Sequence, residues 1–290
     1  MSRLGLRPLV LGAALAVAPA VSAYADPVAS IAAESVYGDI IRQIGGGNVA
    51  VTSVMASMDQ DPHEFEPTPA VARAVAHARL VVYNGAGYDA WMERLLSAAP
   101  SRGRETIDVA KLAGRHPGDN PHLWYDVAAI SALATALAAK LSAIDPAHEQ
   151  AYAEGLAAFD ASLSPLRAEI AAMRARYAGT AVTATEPVFQ YMADALGLAM
   201  RNAAFQQAVM NDTEPGARTI AAFEDDLRRH AVRALLYNTQ TDAAVAQRMR
   251  DVANRAGVAV VAITETQPPG KTYPQWMLGQ LDALERALAR

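Results

Sequence analysis

The chain of 290 residues contains no cysteine. No disulfide can staple it, and thiolate is excluded as a metal ligand, so any metal site must be built from nitrogen and oxygen. Aromatic residues make up only 6% and charged residues 19%, and the 25 Lys and Arg are outnumbered by 30 Asp and Glu. An acidic balance argues against nucleic-acid binding, where clustered Lys and Arg supply most of the affinity. No HExxH, GxSxG or P-loop pattern occurs, and there is no tandem repeat or low-complexity segment. What is abundant is apolar and small. The 52% hydrophobic content is largely alanine, which suits ordered cores made of closely packed helices and does not suit disorder.

The first residues read as a secretory signal. Arg3 and Arg7 give a short positive start, residues 9–21 are almost wholly apolar, and Ala23-Tyr24-Ala25 offers a cleavage site before Asp26. The apolar run of 13 residues is shorter than the ~20 needed to span a bilayer. Cleavage near Ala25/Asp26 removes two arginines and no acid, leaving 23 basic and 30 acidic residues, a net charge of −7. No cysteine follows the run to carry a lipid. The expected location is therefore the periplasm, with the mature chain free in solution.

Past residue 25 the chain alternates short β-branched runs with helical stretches, the pattern of an α/β fold. Strands are expected at 28–32, 49–55, 80–83 and 105–109, with helices at 35–44, 69–76, 88–98 and 127–144. Thr68 before Pro69 is a strong helix start. From 147 to 177 no strand signal appears, and Tyr152, Leu156, Phe159, Leu163, Leu166, Ile170, Met173 and Tyr177 recur at spacings of four and three. That is a helix of roughly 45 Å at 1.5 Å per residue, kinked but not ended by Pro165. Alternation then resumes, with strands at 180–185, 198–201, 232–237 and 258–264 and helices at 188–196, 217–229, 243–256 and 274–289. The expected organisation is a signal peptide (1–25), an N-terminal α/β lobe (26–144), a connecting helix (145–179) and a C-terminal α/β lobe (180–290).

Of six histidines, only His63 and His122 follow a proline on a strand-to-helix loop, in Asp61-Pro62-His63-Glu64-Phe65-Glu66-Pro67 and Asn120-Pro121-His122-Leu123-Trp124. A proline-stiffened loop presents an imidazole with little freedom left to lose. A lone histidine is more often a surface residue or a satisfied core donor, so the pattern alone does not decide for a metal. Glu186 and Glu265 come just after expected strands, where small ligands of open α/β sheets bind; Glu186 could equally be a first-turn acid favoured by the helix dipole.

The two Pro-His motifs in that order, 59 residues apart, with Val81-Val82-Tyr83-Asn84-Gly85 and the long middle helix, resemble the periplasmic metal-binding (zinc/manganese-type, cluster A-I) solute-binding proteins of ABC importers. The resemblance spans the mature chain. It implies two Rossmann-like lobes joined by a long rigid helix, with a metal site in the inter-lobe cleft. It implies as ligands His63, His122, Glu186 (at the third, His-or-Glu position) and Glu265, in the place of the family's usual aspartate before a Gly-x-[ST]-Tyr segment, here Gly270-Lys271-Thr272-Tyr273. Asp212 or Glu214 are alternative fourth ligands.

Two imidazoles and two carboxylates form a harder site than three histidines, and bidentate carboxylates raise the coordination number, which suits Mn²⁺ or Fe²⁺ more than Zn²⁺. The loop 114–120 is short and holds only His116, whereas zinc members often carry a His-rich insertion there. The expected function is capture of a divalent metal, Mn²⁺ favoured and Zn²⁺ or Fe²⁺ possible, as cargo for an inner-membrane ABC permease. No catalytic cofactor, no nucleic acid and a monomer are expected. The rivals are a metal-dependent hydrolase, with Asp61 or Glu64 as base, and a metal-independent adhesin or interaction module. A formal G-x-G-x-x-A match, Gly85 to Ala90, is read as a packing turn, and Trp91, Trp124 and Trp276 as core or hinge.

Overall fold

Among the described residues, runs of three to seven residues, most of them largely apolar, form eight strands arranged as two four-stranded parallel sheets. The structure, a computed structural model, describes residues 26–58 and 65–290. The expected signal segment and residues 59–64, which include Asp61, His63 and Glu64, lie outside it.

The first lobe runs β1 (Val28–Glu34), α1 (Ser35–Gly45), β2 (Val49–Met55), α2 (Pro69–His77), β3 (Leu80–Tyr83), α3 (Ala90–Ala98), β4 (Glu105–Asp108), α4 (Val109–Leu112) and α5 (Val127–Ile144). Its sheet has the order β2-β1-β3-β4, with Ser30 paired to both Val51 and Leu80. Central β1 is buried at all but one residue, while edge β2 alternates, as expected of a sheet with helices on both faces. The expected helix start at Thr68 is present, and a glycine ends the helix before it. Thr68 accepts the Val71 N–H ahead of Pro69, and Gly46, at φ 55°, ends α1.

The connection to the second lobe is helical but divided, into α6 (Glu149–Ser162) and α7 (Ser164–Tyr177). Pro165 has no N–H to give the carbonyl four residues back. Leu163 nevertheless stays right-handed helical, at φ −78° and ψ −13°, so the stripe keeps its phase. Tyr152, Phe159, Leu163, Leu166 and Met173 are all buried. Helix α6 crosses the end of α1 closely because Gly155 sits there: a Cβ at that position would lie 2.2 Å from the Ile44 carbonyl oxygen.

The second lobe repeats the first: β5 (Ala181–Ala184), α8 (Gln190–Leu196), β6 (Ala199–Arg201), α9 (Ala203–Met210), α10 (Ala217–Arg228), β7 (Ala234–Asn238), α11 (Ala244–Ala256), β8 (Ala259–Ile263) and α12 (Tyr273–Leu288), with sheet order β6-β5-β7-β8. Helix α9 has no counterpart among the expected elements. One apolar core runs from the first lobe through α6 and α7 to α12, and a second fills the far face of the second sheet between α9, α10 and α11. In each lobe the chain steps from one side of the first strand to the other, which opens a crevice beyond the carboxyl ends of β1 and β3 and of β5 and β7.

Candidate metal centre

These two crevices face each other. His122 follows Pro121 at the start of a 3₁₀ turn (Leu123–Tyr125) and is fully buried. Its ring is fixed on several sides. Trp124 meets it edge-on at 5.4 Å between centroids and Tyr88 at 6.1 Å. Asn120 Oδ1 lies 2.6 Å from His122 Nδ1, and Asn120 Nδ2 donates to the Pro187 carbonyl at 2.7 Å. The second bond fixes the amide orientation, so the oxygen faces the ring and Nδ1 carries the hydrogen. In the neutral ring Nε2 is then the lone-pair nitrogen. It is buried, has no hydrogen-bond partner among the described residues, and lies 3.3 Å from Glu265 Oε2.

Glu265 comes two residues after β8, and Glu186 two residues after β5; they are 4% and 5% exposed. Glu186 occupies an N-cap position, in keeping with a first-turn acid, yet its side chain makes no cap bond. Asn238, the last residue of β7, instead donates from Nδ2 to Glu186 Oε1 at 3.1 Å and to Glu265 Oε1 at 2.7 Å. The Gln240 N–H donates to Asn238 Oδ1 at 3.1 Å, so the amine side of this amide must face the acids. Gln240 Oε1 also accepts the Glu265 and Thr266 N–H groups, each at 2.8 Å. From the opposite lobe the Tyr88 hydroxyl donates to Glu265 Oε2 at 2.9 Å. Burial first, then the Glu265 charge, pushes the Tyr88 phenol well up and keeps it a donor.

Further bonds tie the lobes together around the site. Tyr125 Oη donates to the Thr264 carbonyl at 2.8 Å, Tyr273 Oη to the Trp124 carbonyl at 2.9 Å, and the Tyr273 N–H to Asp39 at 2.7 Å. Tyr191 Oη donates to the Asn120 carbonyl at 2.6 Å.

The structure thus brings His122 and Glu265 into contact and joins Glu186 to them through Asn238. Among the described residues no three His, Asp or Glu side chains are drawn close enough to hold a metal by themselves, and His63 lies outside those residues. Asp212 and Glu214 are exposed in the turn after α9. The Gly85 to Ala90 stretch is a packing turn whose N–H groups at Asn84 and Gly85 are taken by Asp89. Trp91, Trp124 and Trp276 are buried. Sequence reasoning passed over Tyr88, Asn120, Asn238 and Gln240 as parts of the site. Asn238 left one signal, a polar residue closing the apolar run Leu235-Leu236-Tyr237.

Residues 31–287 match the model of the zinc-uptake complex component A, periplasmic, or ZnuA, family. The chain belongs to this family. Two relatives have been named for other metals. The manganese ABC transporter substrate-binding lipoprotein PsaA of Streptococcus mitis is 25% identical over 286 residues, covering 90% of this chain and 89% of that one. The iron ABC transporter substrate-binding lipoprotein MtsA of Streptococcus pyogenes serotype M1 is 25% identical over 314 residues, covering 97% and 98%. The periplasmic zinc-binding protein TroA of Treponema pallidum has the same fold, with a TM-score of 0.77 at 18% identity over 92% of this chain and 100% of that one. Membership of the ZnuA family puts the chain among the substrate-binding components of metal uptake, and these relatives are named as transport proteins rather than enzymes. The two streptococcal proteins are named lipoproteins, whereas this member has no cysteine.

Proposed function

We propose that the chain is an exported, periplasmic receptor that captures one divalent transition metal between its lobes and hands it to an ABC permease in the inner membrane. The observation that supports this best is the facing of His122 Nε2 and Glu265 Oε2 at 3.3 Å in a buried cleft. Two groups with lone pairs, removed from water, gain most from a shared cation. His63, His122, Glu186 and Glu265 are the proposed ligands. The lobe limits that go with this reading are 26–144 and 180–290, joined by 145–179.

Manganese is the favoured cargo, with Fe²⁺ and Zn²⁺ as competitors. Two carboxylates and two imidazoles give a hard donor set, and each carboxylate able to chelate raises the coordination number above four. Raw affinity does not select the metal, since the Irving–Williams order favours zinc over manganese at such donors. Neutral imidazole is required for ligation, so capture weakens as pH falls. The tyrosine bonds between the lobes favour release by small shifts of loops rather than by wide opening. The protein acts as a monomer without catalytic turnover. The test is growth of a deletion strain under manganese or zinc starvation. Rescue by the wild-type chain under manganese starvation alone supports the reading, and rescue under neither contradicts it.

A further inference from the structure

On the first-lobe side of the cleft lies a buried acid pair that metal capture leaves unused. Glu34 closes β1 and is 6% exposed, and Asp89, just before α3, is fully buried. Asp89 has a plain task. Its Oδ2 accepts the Asn84 N–H at 2.6 Å and its Oδ1 the Gly85 N–H at 2.8 Å. These bonds hold a turn in which Gly85, Ala86 and Gly87 have φ of 76°, 54° and 90°, a left-handed run that an L-residue such as Ala86 does not hold unaided.

Glu34 has no such partners. Among the described residues both its carboxyl oxygens are buried without a hydrogen-bond donor beyond its own backbone N–H, and the charged group beside them is the Asp89 carboxylate. The other titratable groups around the pair are the phenols of Tyr37 on α1 and Tyr88 in the turn, with Tyr273 of α12 and Asp108 of β4 beyond Tyr37. Among the described residues none of these groups is a cation. Two neighbouring carboxyl groups, dry and without a cation among the described residues, are both satisfied by a proton between them.

We propose that Glu34 is carried as the neutral acid, donating its hydrogen to Asp89, and that this donor fixes the turn from which two metal ligands are positioned. Burial and the Asp89 charge both push Glu34 well above the usual carboxylate range. Asp89 is raised by burial only to about 6, because its backbone hydrogen bonds oppose the shift, so Asp89 is the member that ionises first. The turn reaches both lobes. Asn84 accepts the Tyr37 hydroxyl at 2.5 Å and donates to the carbonyl of Pro121, next to His122, at 2.8 Å. Tyr88 in the same turn holds Glu265. Glu34 is therefore a positioning residue that touches no metal, and its role rests on the metal-site reading above.

Two measurements separate the claims. Infrared spectra of metal-free protein at neutral pH should show the carbonyl band of a protonated carboxylic acid that Glu34→Gln removes; absence of that band in the wild type overturns the shared proton. Competition with a chromogenic chelator for Mn²⁺ and Zn²⁺ then tests positioning. Glu34→Gln, whose amide can donate to Asp89 as the acid does, should stay within about twofold of wild type, and Glu34→Ala should bind about tenfold or more weakly. Equal weakening in both variants, or in neither, overturns the donor role. A wild-type chain that takes up no metal overturns the metal reading and the positioning role with it, whereas the infrared band still decides the proton.

Discussion

Replacing Asn238 by aspartate changes the charge logic of the cleft without changing its shape. The amide nitrogen donates to Glu186 at 3.1 Å and to Glu265 at 2.7 Å, and hydrogen bonds to charged groups contribute about 1.5–3 kcal/mol each. An ionised aspartate in its place loses both and adds repulsion from two buried carboxylates, at distances where like charges repel by several kcal/mol even at an effective dielectric of about 20. The new side chain escapes by taking a proton, which restores one donor. Holding an aspartate neutral at pH 7 costs about 4 kcal/mol, at 1.36 kcal/mol per unit above an ordinary value near 3.9. Adding the bond still missing, metal-free Asn238→Asp should lose about 6–7 kcal/mol at pH 7, or about 12–28 °C in midpoint. Between about pH 8 and about pH 5 the proton becomes easier to hold, so the deficit should shrink by at least about 2 kcal/mol. A bound divalent cation offsets the added charge and should cut the deficit by half or more. Scanning calorimetry of chelator-treated and metal-loaded protein at both pH values measures all four numbers. A deficit that is the same with and without metal, or that does not change with pH, refutes the reasoning.

Glu186→Gln and Glu265→Gln should each weaken metal retention by about 100-fold or more, since each removes a charge from a buried set; retention unchanged in Glu265→Gln strikes that residue from the ligands. Gly85→Ala and Gly87→Ala both force an L-residue to positive φ, but only at Gly85 would the new Cβ meet an atom, Asp108 Oδ1 at 2.3 Å. Urea titration should show Gly87→Ala costing about 1 kcal/mol and Gly85→Ala at least about 2 kcal/mol more. Asp89, raised to about 6, contributes stability that is present below its unfolded value near 3.8 and lost as pH rises through 6. Metal-free protein should lose up to about 3 kcal/mol over that interval, and Asp89→Asn should flatten this slope.

The two-lobe organisation was legible because it is written in periodicity. All eight strands begin and end within two residues of their expected limits. Helix α5 matches at both ends, because Asp126 caps Ala128 and Ala129. Helix α9 was not legible. It shows the core only Phe205, Gln206 and Val209 and begins from a left-handed Asn202, so it carries neither an apolar stripe nor a start signal. The break at Leu163 is likewise invisible to a stripe that keeps its phase across it. At the site, His122, Glu186 and Glu265 could be named as candidates from motif and strand-end position, and only the family resemblance made them proposed ligands. The residues that set their charge and orientation could not, because Tyr88 and Asn238 meet Glu265 only across long stretches of chain, 177 and 27 residues, and neither carries a local pattern.

Native mass spectrometry of the mature protein taken directly from its own periplasm tests the central claim most directly. The account predicts one divalent transition metal per chain, retained through desalting and lost from the His122→Ala variant. A chain that carries no metal under manganese, iron or zinc supply, or one whose bound metal survives His122→Ala unchanged, contradicts it.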